Sequence, residues 1–73
     1  MATAAEIQAV IDPDGSDLEL NLVRSVNVDA TYDEHYIVGG VAPYAGKARW
    51  VRTTSAQSAA QQGAAIIAAM ALP

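Results

Sequence analysis

Seventy-three residues without a cysteine allow one small domain and exclude disulfides and thiolate metal sites as its staples. Eight acids against four bases give a net charge of −4, which sets the surface against nucleic acid as the default partner. The single histidine, His35, argues against a zinc site, and no motif implies a cofactor.

A chain this short buries only about 60% of its unfolded surface, so association with other chains is expected to complete its core. The charge is also segregated. All eight acids lie between Glu6 and Glu34, and with Arg24 they bring the first 34 residues to −7. Lys47, Arg49 and Arg52 give the remainder +3, so the two halves are suited to pairing within the fold or between copies. The opening residues lack the basic and apolar pattern of a leader. The apolar run Gly63 to Leu72 is too short to span a bilayer, which needs about 20 residues. A soluble protein, in a virion or the cytoplasm, is expected.

Thr3 to Ile11 reads as a short helix. Thr3 and Glu6 have the spacing of a capping box, and Ile7, Val10 and Ile11 share a face. Asp12-Pro13-Asp14-Gly15 ends it, since the residue before proline avoids helical geometry. Leu18 to Ala30 alternates as a strand, with Leu18, Leu20, Leu22, Val26, Val28 and Ala30 on the inner face. Arg24 interrupts that row and Val23 the outer one, so a bulge or the sheet's margin is expected near Arg24. Thr31 to Glu34 reads as a turn and His35 to Ala42 as the second strand, with Tyr36 and Val38 on one face and Ile37 on the other. Gly39-Gly40 marks a bulge or a close backbone approach. Pro43-Tyr44-Ala45-Gly46 forms a tight turn into the third strand, Lys47 to Thr53, with Trp50 directed to the core. Ile37 and Val51 then fall on the open face. The last helix begins at a Thr54/Gln57 capping box, with Ala56, Ala59, Ala60, Gly63, Ile66, Ile67 and Met70 as its inner stripe. The expected fold is α+β: an α-β-β-β-α domain covering residues 1–73, its three-stranded antiparallel meander carrying two helices on one face.

The acidic stretch Asp12 to Asp17 is the densest oxygen cluster, but it supplies fewer ligands than calcium takes and departs from the EF-hand spacing. It reads as a solvated turn. His35 beside Asp33 and Glu34 lacks a marked nucleophile and reads as a surface histidine at a strand start, so no catalytic residue and no metal ligand is assigned. The glycines match no phosphate loop.

Lys47, Arg49 and Arg52 interleave with Tyr44 and Trp50, as in single-stranded nucleic-acid binders. With Trp50 turned inward, the bases read instead as a sheet rim that meets the acids. The order of elements, with an alanine-rich final helix, resembles the double-stranded RNA-binding domain. That resemblance implies a nucleic-acid-binding module, although Ser55, Ala56, Gln57 and Ser58 stand where that family carries lysines.

From Gly63 on, the last helix is apolar all round, with Ala64, Ala65, Ala68, Ala69 and Leu72 on the face away from its inner stripe. Those residues, with Lys47 and Arg49, are the expected partner-binding set. The expected function is non-enzymatic: a small subunit of a large symmetric assembly, such as a capsid-decorating or head–tail component of a bacteriophage virion. A nucleic-acid-binding module and an accessory or regulatory subunit of a bacterial enzyme are the alternatives. Ala68→Glu is expected to preserve the fold and weaken association, read by light scattering on a sizing column.

Overall fold

In the computed structural model, which describes residues 2–15 and 19–73, the elements are α1 (Ala4–Ile11), β1 (Leu20–Asn27), β2 (Tyr32–Gly39), β3 (Ala48–Thr54) and α2 (Ala59–Met70). The strands form one antiparallel sheet in the order β1-β2-β3, and the helices pack on its inner face. The α-β-β-β-α arrangement is the one expected from the hydrophobic pattern. Among the described residues no helix is long and apolar enough to cross a membrane.

Thr3 and Glu6 cap α1 reciprocally: the Thr3 hydroxyl accepts from the Glu6 N–H, and the Glu6 carboxylate accepts from the Thr3 N–H at 2.9 Å. Ile7 and Ile11 are buried. At the other end the Asp12 carboxylate accepts from the Gly15 and Leu20 N–H groups, so this acid guides the chain into β1. Gly15 takes φ +71°, the left-handed region that the turn requires. Ser16 and Asp17 of the acidic stretch, and Leu18 of the expected first strand, lie outside the described residues.

A bulge, one of the two readings of the interruption at Arg24, falls between Leu22 and Arg24, and it changes which side chains point inward. Leu20 and Leu22 face the helices before it. After it, Ser25 and Asn27 lie opposite His35 and Asp33 on that same inner face. Val26 and Val28, expected inside, are therefore outside, because one extra residue inverts the alternation. Ala30 belongs to the turn before β2. The Asp29 carboxylate builds this turn by accepting from the Thr31 and Tyr32 N–H groups at 2.7 and 3.0 Å. β2 thus begins at Tyr32, earlier than expected.

The faces of β2 and β3 are also corrected. Asp33, His35, Ile37 and Gly39 point inward from β2, as do Val51 and Thr53 from β3. Ile37 and Val51 are core residues, not members of the open face. Tyr36 and Trp50 are cross-strand partners on the outer face, and Trp50 is 54% exposed rather than buried. The inversion is possible because the inward polar groups of β1, β2 and β3 bond one another. The inner face therefore has no need of the aromatic rings.

Between β2 and β3 the loop folds back until the Tyr44 carbonyl lies against Gly39, where any Cβ would collide with it. α2 starts at Ser58, four residues later than expected, because Thr53 and Thr54 complete β3. Ser58 and Gln61 form the capping box, while the Thr54 N–H still donates to Gln57 Oε1 at 3.3 Å. Ala56 and Ala60 are exposed, and the buried stripe of α2 is Gln62, Gly63, Ile66 and Met70.

The apolar core comprises Ile7, Ile11, Leu20, Ile37, Val51, Ile66 and Met70. Gly63 sets the spacing of the helices, since a Cβ there would strike Val10 of α1. Gly63→Ala is expected to destabilise the fold by up to about 2 kcal/mol. Overpacking against Val10 costs about 1–3 kcal/mol, and better helix propensity returns roughly 1. Chemical denaturation measures the difference, and a more stable variant would show that the helices separate freely.

Candidate functional site

Three regions carry chemistry or exposed apolar surface. The first is a polar cluster inside the fold. His35 is only 1% exposed, which corrects its reading as a surface residue. Its Nδ1 lies 2.8 Å from Ser25 Oγ on β1, and its Nε2 lies 2.7 Å from Thr53 Oγ1 on β3 and 3.1 Å from Gln62 Oε1 on α2. The neighbours fix the tautomer. Gln62 donates its amide to the Gln57 carbonyl, so its Oε1 faces the ring and only accepts. The Thr53 hydroxyl donates to that Oε1 at 2.8 Å. A proton on His35 Nε2 then satisfies both contacts, which leaves Nδ1 bare to accept from the Ser25 hydroxyl.

Asp33, also buried, lies along the strand from His35. Its Oδ1 accepts from Asn27 Nδ2 at 2.7 Å and from Ser55 Oγ at 3.0 Å. Among the described residues no buried side-chain polar atom lacks a partner. A cleft of about 170 Å³ opens beside this cluster, lined by Ala2, Ile7, Ser25, Val26, Asn27, Asp33 and His35. Ser25 itself is exposed. Composition hides this site. Nothing but the placement of the bulge turns Ser25 and Asn27 toward His35 and Asp33.

The second region is the outer face of the sheet, which no helix covers. Tyr36 and Trp50 stack there with ring centroids 5.3 Å apart and planes tilted by 42°. The Arg52 guanidinium lies 4.9 Å over the Tyr32 ring and pairs with Glu34 at 3.5 Å. Arg24, Val26, Val38 and Ala48 share the face by register. Exposed Val23, in the bulge, stands at its edge.

The third region holds the residues expected to bind a partner. Ala64, Ala68 and Leu72 are exposed on α2, Ala65 is half-buried, and Ala69 packs against the core. Lys47 and Arg49 reach the end of α2. Lys47 Nζ donates to the Met70 and Leu72 carbonyls, each at 3.0 Å, and Arg49 Nη2 donates to the Leu72 and Pro73 carbonyls at 3.0 and 2.6 Å. The last carbonyls of a helix have no intrahelical donor and carry its negative end, so two cations, Lys47 just before β3 and Arg49 within it, fasten the end of α2 to the sheet. The two halves of the chain do pair through Arg52 and Glu34.

Among the described residues no group of three or more His, Asp or Glu side chains is placed to hold a metal ion. No family model, no curated protein and no solved structure matches the chain. The likeness to the double-stranded RNA-binding domain accordingly rests on the order of elements alone.

Burial holds His35 below its ordinary value of 6.5, an effect partly offset by Gln62 Oε1 and the Asp33 carboxylate. Of the groups facing the ring, Ser25, Thr53 and Gln62 are neutral and Asp33 alone is charged. Below pH 6.5 the unfolded chain binds a proton that the folded imidazole resists. The stabilisation is therefore complete above that pH and declines as pH falls through the interval down to the lowered folded value. Urea unfolding midpoints should fall between about pH 7.5 and 5.5, before the carboxylates titrate near pH 4. His35→Gln should remove that early slope, and an unchanged slope would place its origin elsewhere.

Proposed function

We propose that this protein is a non-enzymatic subunit of a multi-copy assembly that associates through the outer face of its sheet. The observation that carries the reading is Trp50. A tryptophan 54% exposed and stacked on Tyr36, on a face no helix covers, is the type of residue that anchors protein interfaces. Val26, Val38 and Ala48 extend the apolar area around it, while Arg24 and Glu34 place opposite charges on one face. Such a surface is complementary to a second copy of itself, with two sheets packed face to face about 10 Å apart.

A three-stranded face is too small to bury the roughly 1,200 Å² that stable interfaces need, so a second contact is required. Ala64, Ala68 and Leu72 supply it. Both helices lie on the inner side of the sheet, so the free side of α2 and the Trp50 face look in opposite directions. A subunit with two back-to-back contact faces repeats naturally, which suits a large symmetric particle better than a closed dimer. A bacteriophage virion is one such setting, consistent with the small size and the lack of disulfides.

One observation favours a second reading. Trp50 and Tyr36 share their face with Arg24 and Arg52, whereas most of the acids lie elsewhere, an arrangement compatible with stacking of single-stranded nucleic acid. A dT oligonucleotide that quenches Trp50 fluorescence in a salt-dependent manner would support it.

Light scattering against concentration tests the main reading. Wild type is expected to associate, with a blue shift of Trp50 emission. Trp50→Ala should weaken that association about tenfold or more, since interface anchors contribute about 2 kcal/mol. A strictly monomeric wild type, or association indifferent to both Trp50→Ala and Ala68→Glu, would overturn it.

A further inference from the structure

We infer that Ser25 is an activated nucleophile, acylated by small neutral or cationic esters that enter the cleft beside it. This goes beyond the association reading; of the residues lining the cleft, Val26 alone also belongs to the sheet surface used there. The hydroxyl of Ser25 is hydrogen-bonded to an imidazole nitrogen at 2.8 Å, within the range for transfer to a general base. That nitrogen, His35 Nδ1, is the unprotonated one, because the Thr53 and Gln62 contacts require the proton on Nε2. A nucleophile, a base and groups that orient the base are thus aligned in the relation that activates serine. The orienting groups are a hydroxyl and an amide, not a carboxylate. The buried Asp33 carboxylate lies next to the pair and favours the imidazolium as it forms.

The cleft sets the class of donor. About 170 Å³ accommodates an acetyl- or propionyl-sized group, with Ile7 and Ala2 as its apolar wall. The Asp33 charge disfavours anionic donors. In the reaction the Ser25 Oγ attacks the carbonyl carbon of the ester while its proton passes to His35 Nδ1. The tetrahedral adduct collapses, the carbon–oxygen bond to the leaving alcohol breaks, and that alcohol takes the proton back from Nδ1. The products are O-acyl-Ser25 and a free alcohol, with no oxidant or metal required. Thr53 and Gln62 act as positioning residues. Ser25 accepts one acyl group, a modification without implied turnover.

Ser58 supplies an internal reference, an exposed serine whose hydroxyl is committed to capping α2. Wild-type protein treated with p-nitrophenyl acetate and mapped by peptide mass spectrometry should acetylate Ser25 about tenfold faster than Ser58. The Ser25 rate should fall as pH drops through the folded His35 value, which burial holds below 6.5, and Nδ1 becomes protonated. Ser25→Ala, a change at an exposed position, should abolish that product and leave the acetylation of Lys47 unaltered. Thr53→Val should shift the pH profile of Ser25 labelling, an effect that a purely structural role would not produce. Because both serines are compared within one folded molecule, equal rates at Ser25 and Ser58 overturn the inference. A Ser25 rate independent of pH overturns it as well.

Discussion

The imidazole of His35 holds the interior together. It joins Ser25 of β1, Thr53 of β3 and Gln62 of α2, and it is itself part of β2. Each such hydrogen bond contributes only about 0.5–1.5 kcal/mol net, but an orphaned buried partner costs about 1–3 kcal/mol. Losing one member therefore damages the others, and the cluster behaves as a unit. Among the described residues the buried apolar core has seven members and leaves the half of the sheet around β1's end without apolar filling. The polar cluster occupies that half, and it fixes strand register and helix placement more strictly than interchangeable aliphatic side chains do.

That use of the interior determines what remains outside. With polar groups turned inward and bonded to one another, the aromatic residues of β2 and β3 face outward, where Tyr36 and Trp50 stack. A protein that buries histidine and glutamine while exposing tryptophan has placed large apolar area where another chain can reach it. Lys47 and Arg49 have a local task, because they hold the end of α2 against β3. The charge left on the sheet's outer face is consequently small and mixed, with Arg24 and Arg52 beside Glu34.

Much of the fold was legible in the sequence. Thr3 with Glu6 and the Ile7–Ile11 spacing identified α1, and the interruption at Arg24 marked an irregularity, a bulge or the sheet's margin, that the strand pairing resolves as a bulge. The direction of the inversion after the bulge was not legible. Val26 and Val28 are better apolar candidates than Ser25 and Asn27, and only the pairing with His35 and Asp33 reverses the preference. β2 misleads for the same reason: Tyr36 and Val38 outscore Asp33 and His35 in any hydrophobic comparison, yet the polar pair is inside. Two overlapping capping boxes, Thr54/Gln57 and Ser58/Gln61, compete for the start of α2. The first loses because Thr54 pairs with Tyr32 in the sheet. The site containing Ser25, His35, Thr53 and Gln62 draws on four elements, and no local pattern announces a set that only the tertiary fold assembles.

Arg24 has a further consequence. Were the bulge ironed out, β1 would continue its alternation unbroken, and Arg24, Val26 and Val28 would enter the interior in place of Ser25 and Asn27. That competing register offers two valines to the core but requires a guanidinium to leave water for the interior, a costly desolvation even beside the inward Asp33 carboxylate. One cation thereby guards the strand against its most apolar misalignment. The positive charge that interrupts the hydrophobic row is a proofreading element for strand pairing, and it acts on the structure the chain does not adopt.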